Sequence, residues 1–137
     1  MRTTFTIAAL TLAALMACKA KRESVPSQDD LKKEQMASKE NFLKKYNGKP
    51  LSIFGKVDDL DLSGAPHLYF ESDVHEAKAF TSMYCRIDDA DQARFKQLNV
   101  GKGSYARVGG TVKADGELDF ELQHCKLEAI GTDAMFK

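Results

Sequence analysis

The chain has 137 residues, with 20 Lys+Arg balanced by 20 Asp+Glu, 43% hydrophobic residues and 29% charged residues. This is the size and composition of one globular domain, which excludes a two-domain enzyme built around a cleft and a polytopic membrane protein. A net charge of zero excludes the basic field that drives binding to bulk nucleic acid.

The first element is an address. Residues 1–17 read MRTTFTIAALTLAALMA, with one positive charge at Arg2 and an apolar run from Phe5 to Ala17. The run is shorter than the about 20 apolar residues that span a bilayer and fits a secretory signal peptide. The block Leu15-Met16-Ala17-Cys18 is similar to a bacterial lipobox, in which the Cys is lipidated and the chain is cut just before it. Cys18 is therefore the expected lipidation site, and two or three acyl chains there give stable anchoring. Lys19, rather than Asp, after the Cys favours the outer membrane, with the protein facing the periplasm. Residues 18–28 (CKAKRESVPSQ) are polar, contain Pro26 and read as a tether.

Residues 29–137 are expected to form the folded domain, opening with a helix through DDLKKEQMASKENFLKKY. Ser27 caps it, Asp29 and Asp30 suit its first turn, Lys44 and Lys45 its last, and Asn47-Gly48 stops it. Its apolar stripe of Leu31, Phe42, Leu43 and Tyr46 is sparse, which predicts a mostly solvated helix docked by its last turn.

After Gly48 the apolar period becomes two. Leu51, Ile53, Gly55 and Val57 share one parity against Ser52, Phe54 and Lys56, and Leu60 and Leu62 continue on the other. A slip of one inside a long strand predicts a bulge near Asp58-Asp59. Ser63-Gly64-Ala65-Pro66 is a turn. HLYFES is the second strand, with Leu68 and Phe70 against His67, Tyr69 and Glu71. SDVHEAKAFT is an irregular connection. SMYCRID is the third strand, with Met83, Cys85 and Ile87 inward and Tyr84 and Arg86 outward. DDADQARFKQLN predicts a short helix, capped by Asp88 or Asp89 and anchored by Phe95 and Leu98. SYARVGGTVKA is the fourth strand, with Ala106, Val108, Gly110 and Val112 inward. Asp115-Gly116 marks a tight hairpin. ELDFELQHCKLEAI is the fifth, with Leu118, Phe120 and Leu122 inward and, after a slip near Gln123, Cys125 and Leu127.

With Cys18 assigned to lipid, Cys85 and Cys125 remain in an exported chain, where a disulfide is the expected state. Closing a loop of about 40 residues contributes about 3–4 kcal/mol. A metal site would need more ligands than the scattered His67, His75 and His124 supply, and no metal or other cofactor is expected.

The order is three strands, a short helix, a strand, a hairpin and a strand. Exposed edges on a small exported sheet invite aggregation, so closure is expected. The predicted fold is mainly β: a five-stranded OB-fold barrel with a short helix between strands 3 and 4 and an N-terminal helix. Gly55, Gly101, Gly103, Gly109 and Gly110 sit where close approach or coiling is expected. A lysozyme-inhibitor-like barrel or sandwich explains the strands but not the central helix.

From about Phe42 to Ile130 the chain also resembles the OB-fold lipoproteins related to the tRNA-anti-like domain. The resemblance rests on YNGKPLSIFGKVDDL, LYFES, MYCRI, FKQLNVGKGSYARVGGTV and LDFELQHCKL in that order. Gly101-Lys102-Gly103-Ser104 stands where the family has a Gly and a polar residue before the strand, so that turn is lengthened. The resemblance implies the fold and export; the family has no settled activity.

The function expected is a lipid-anchored binding module. OB-folds bind on strands 2 and 3, where the outward residues are His67, Tyr69, Glu71, Tyr84 and Arg86. This mixed aromatic and charged face suits an envelope protein, a peptide or a glycan. Asp58, Asp59 and Asp61 rim it and favour a neutral or basic partner. An envelope inhibitor or immunity protein is one alternative. A single-stranded nucleic-acid binder is another; it would stack bases on Tyr69 and Tyr84 and hold phosphates with Arg86, Arg107 and Lys113, against the charge and the compartment. An enzyme is not expected, since no Ser-His-Asp order, H-E-x-x-H, Gly-rich phosphate loop or C-x-x-C is present.

Overall fold

The computed structural model describes residues 25–76, 79–80, 82–114, 120–132 and 135. The expected signal peptide, Cys18, most of the expected tether, Leu118 and the expected Asp115-Gly116 hairpin lie outside the described residues. Five strands, β1 (Pro50–Asp61), β2 (His67–Phe70), β3 (Met83–Arg86), β4 (Tyr105–Lys113) and β5 (Phe120–Gly131), close into a barrel. Their order is β1-β2-β3-β5-β4, with β4 returning to β1. The β3–β5 seam is parallel and the other pairings are antiparallel. This is the expected OB-fold barrel.

One strand serves both halves of the barrel because it is bulged. Pro50 to Lys56 pair with β4, and Val57 to Asp61 pair with β2. Val57 lies opposite Phe70 and Asp59 opposite Tyr69, so Asp58 is the extra residue of the expected bulge. The slip in β5 is also present. Gly109 pairs with Lys126 and Thr111 with Gln123, one residue more on β5 than on β4. His124 takes up the excess with a left-handed φ of 54° and stays exposed, while Cys125 turns fully inward. Gly110 permits the approach, because a Cβ there would run into the Gln123 carbonyl oxygen. Cys85 and Cys125 form the expected disulfide across the β3–β5 seam, with Cα atoms 5.6 Å apart.

The N-terminal helix differs from expectation in two ways. It is two helices, α1 (Gln28–Ala37) and α2 (Lys39–Tyr46), broken at Ser38. Ser38 closes α1 by donating its N–H to Glu34 O and opens α2 by accepting the Asn41 N–H on Oγ. A serine competing for backbone groups ends one helix and caps the next. The break folds α2 back, so Lys45 Nζ and Tyr46 Oη each reach the Glu34 carboxylate at 2.6 Å. Nor is α1 mostly solvated. It begins at Gln28, a residue the sequence assigns to the tether, and buries Gln28, Leu31, Lys32 and Gln35.

Those buried polar side chains have hydrogen-bond partners across the β2–β3 connection. Gln28 Oε1 accepts the Met83 N–H at 2.7 Å, and Gln35 Oε1 accepts the Phe80 N–H at 2.8 Å. Lys32 Nζ donates to Ser72 Oγ at 2.8 Å and to Val74 O at 2.9 Å. Burial pulls the Lys32 ammonium below its ordinary range, and nearby Asp29 opposes the shift. The irregular β2–β3 connection is thus held by α1. At this end of the barrel Phe80 stacks on Phe120 at 4.8 Å, and Phe42 of α2 lies 5.6 Å from Phe120.

Three further expectations are corrected. Phe54, placed with the polar parity, is buried because residues 26–27 run alongside it; its N–H donates to Pro26 O at 3.2 Å. Asp88 precedes the Asp89–Asp91 turn of 3-10 helix and α3 (Gln92–Gln97) without capping them; its carboxylate pairs with His124 Nδ1 at 2.7 Å. Phe95 is fully buried, but Leu98 is 45% exposed, and Val100 fills the inward position instead. Among the described residues no helix is long and apolar enough to cross a membrane.

Candidate binding face

The pairing of β2 with β3 sets His67 opposite Arg86 and Leu68 opposite Cys85. Successive side chains alternate across a strand. Leu68 and Cys85 are fully buried, so His67, Tyr69, Tyr84 and Arg86 share the outer face. The His67 and Tyr84 rings stack at 5.1 Å, and Tyr69 meets both edge-on, at 5.3 Å from His67 and 5.4 Å from Tyr84. Aromatic pairs at this spacing contribute about 0.5–1.5 kcal/mol each beyond their buried area, which preorganises the face.

Charge enters from two sides. The Arg86 guanidinium carbon lies 5.6 Å from the Tyr84 centroid, and its Nε donates to Glu121 Oε1 at 2.6 Å. Glu121 is there because the parallel β3–β5 register sets it beside Tyr84. On the other side, His67 Nδ1 is 2.8 Å from the Ala65 carbonyl oxygen. A carbonyl only accepts, so Nδ1 carries the proton of that bond. His67 Nε2 then faces Asp59 Oδ2 at 3.8 Å. Burial pushes the Tyr69 phenol above its ordinary range, and Tyr84 and Asp59 add to the shift. Asp61 is held below the usual carboxylate range by hydrogen bonds from the Ser63 hydroxyl and N–H, with His67 adding to the effect.

Four of the five predicted face residues therefore come together. Glu71 does not. β2 ends at Phe70, and the Glu71 N–H turns back to Lys56 O at 2.8 Å, its carboxylate 3.6 Å from Lys56 Nζ. Two contributors were read differently from the sequence. Asp59, expected on the rim, touches the ring cluster directly. Glu121 carries no local signal, because only the β3–β5 register brings it to Arg86.

A second concave surface, an open groove of ≈ 470 Å³, runs over β1, β4 and β5. Its floor is Gly109-Gly110, and Ser52, His124 and Glu128 line it. Two of its polar side chains pair, Ser52 Oγ donating to Glu128 Oε1 at 2.5 Å, and beside it Arg107 Nε lies 3.1 Å from Glu128 Oε2 as an ion pair but is buried without a hydrogen bond. Among the described residues no three His, Cys, Asp or Glu side chains gather as a metal site.

No family model and no curated protein matches the chain. Among solved structures, an OBody bound to hen egg-white lysozyme is similar at 13% identity with a TM-score of 0.41. That likeness covers 64% of this chain and 83% of the other.

Proposed function

We propose that this chain is a lipid-anchored binding module of the bacterial envelope, without catalytic activity, that recognises an envelope protein, peptide or glycan. The observation that carries the reading is the convergence of His67, Tyr69, Tyr84 and Arg86 on the outer face of β2 and β3. This is the face on which OB-folds take ligands. Amphipathic rings and a planar guanidinium are the groups that dominate recognition energy. The envelope address rests on residues 1–18 and on the resemblance to OB-fold lipoproteins. Arg86 and Arg107, two of the three cations a nucleic-acid reading requires, are each paired with a carboxylate. That pairing favours a protein, peptide or glycan ligand over a phosphate backbone.

Two measurements test the reading. Cells fed a clickable fatty acid should label the wild type, and Cys18→Ser should abolish the label. Crosslinking in intact cells, followed by mass spectrometry, should capture a partner that a Tyr69→Ala/Tyr84→Ala/Arg86→Ala variant of unchanged melting temperature loses. Equal capture by both proteins would reduce the face to a solvated barrel wall.

A further inference from the structure

Within that reading, we infer that the Tyr69–His67–Asp59 half of the face takes a cationic side chain, arginine above all, presented by a partner polypeptide. The two halves of the face are chemically parallel. In one, Arg86 lies over Tyr84 and is paired with the Glu121 carboxylate at 2.6 Å. In the other, Tyr69 and His67 stand beside the Asp59 carboxylate, and among the described residues no Lys or Arg pairs with Asp59. The protein's own guanidinium on Tyr84 shows what this arrangement holds.

The acceptor geometry narrows the ligand. His67 Nδ1 is committed to the Ala65 carbonyl, so neutral His67 presents only the Nε2 lone pair to its surroundings. With the ring neutral, that lone pair and Asp59 Oδ2 are two acceptors 3.8 Å apart. The splayed N–H groups of one guanidinium can bridge both while its plane covers the Tyr69 ring. An ammonium satisfies the charge but not the stack. Long-range charge agrees: Asp59, Asp61 and Glu121 lie around the cluster, and its guanidinium, Arg86, is already paired with Glu121. Such a face attracts a basic segment and repels an acidic one.

The test is fluorescence anisotropy of the mature chain in detergent. The probe is a labelled Gly/Ser octapeptide carrying two Arg, compared with versions carrying citrulline, Lys or Glu in their place. Citrulline keeps the shape of arginine and removes its charge. The Arg peptide should bind about tenfold more tightly than the citrulline peptide, with Lys between them and no binding by Glu. Asp59→Asn should weaken the Arg peptide about fivefold or more and leave the citrulline peptide unchanged. Equal binding of Arg and citrulline peptides, or an Asp59→Asn variant indistinguishable from wild type, overturns the inference. A neutral chito-oligosaccharide separates this failure from failure of the broader reading. If the sugar binds, no peptide does, and Tyr69→Ala/Tyr84→Ala abolishes the sugar, the face is a glycan site and the cation inference alone is wrong. If no probe responds to Tyr69→Ala/Tyr84→Ala, both fall.

Discussion

Gln28 accepts the Met83 N–H at 2.7 Å across 55 residues, and the same amide donates to the Phe70 carbonyl at 3.4 Å. One side chain of α1 thus joins the last residue of β2 to the first of β3. Gln35 and Lys32 hold the connection between them at Phe80, Ser72 and Val74. The strands that carry the aromatic face are therefore spaced by a helix that contributes nothing to the face itself. Removing α1 would take Leu31 out of the core and loosen the pair of strands on which recognition depends.

Gln28→Ala should lower the free energy of unfolding by about 2–3 kcal/mol, because it leaves a buried N–H and a buried carbonyl without a partner. Lys33→Ala, exposed one turn away, should stay within about 0.5 kcal/mol of wild type. Urea titration followed by circular dichroism measures both. Equal midpoints for the two variants would show that the Gln28 bonds are replaced by water.

The barrel is legible in the sequence because its signals are local. Alternation marks Leu68, Cys85, Val108 and Leu122 as inward, and two breaks in phase, near Asp58-Asp59 and near Gln123, anticipate the bulges found at Asp58 and His124. Two cysteines left in an exported chain likewise predict the disulfide that crosses the β3–β5 seam. The docking of α1 is not legible, because Gln28 reads as tether and Lys32 and Gln35 as a solvated face. Their burial depends on polar groups 40 to 55 residues away, which no helical period encodes. Leu98 misleads for a similar reason. At i+3 from Phe95 it looks like an anchor, but Asn99 turns left-handed at φ 56° and brings Val100 inward instead. On the candidate face, alternation finds the rings and Arg86 but not Glu121, whose place is a matter of strand order.

Acid should unfold the protein partly through the α1 carboxylates. Burial opposes ionisation of Asp29, but hydrogen bonds from Ser72 and the Asp73 N–H, with the Lys32 charge, outweigh it and hold the carboxyl below its ordinary 3.8. Burial also opposes ionisation of Glu34, and bonds from Lys45 and Tyr46 outweigh it, below an ordinary 4.5. A carboxyl with a depressed folded value binds fewer protons folded than unfolded. The stability it supplies is complete above 4.5 and drains away as the pH falls through 3.8 and below. Melting temperature should therefore fall between pH 5 and pH 3. An Asp29→Asn/Glu34→Gln variant should start lower at pH 7 and fall less steeply. A parallel curve for the variant would remove these two groups from the acid transition.

Two glycines should part company on substitution. A Cβ at Gly110 meets the Gln123 carbonyl and the Leu122 side chain, and neither strand can move away without breaking the β4–β5 ladder. Gly110→Ala should cost about 1–3 kcal/mol, as overpacked positions do. Gly101 has open space around its Cβ direction and no left-handed φ. Gly101→Ala should be neutral or stabilise by up to about 1 kcal/mol, by restricting the unfolded chain. Thermal unfolding of the pair decides the matter, and equal losses would contradict the assigned approach of β4 to the β5 bulge.

The disulfide sits directly beneath the candidate face, since Cys85 lies between Tyr84 and Arg86 on β3. Cys125 follows His124 on the bulge of β5, and both cysteines are fully buried. A reductant can reach the bond only when β3 and β5 separate, so reduction should require opening of the barrel. In a Cys18→Ser form, dithiothreitol alone at pH 8 should release no free thiol over hours, whereas the same reagent in urea should release both. Once reduced, the protein should lose about 3–4 kcal/mol of stability, the amount expected for opening a loop of about 40 residues. Cys85→Ala/Cys125→Ala should lose a similar amount. The two losses share a cause in the unfolded chain, so reduction of this double variant should add nothing further. Rapid reduction without denaturant would mean that the β3–β5 seam opens on its own, and with it the floor under Tyr84 and Arg86.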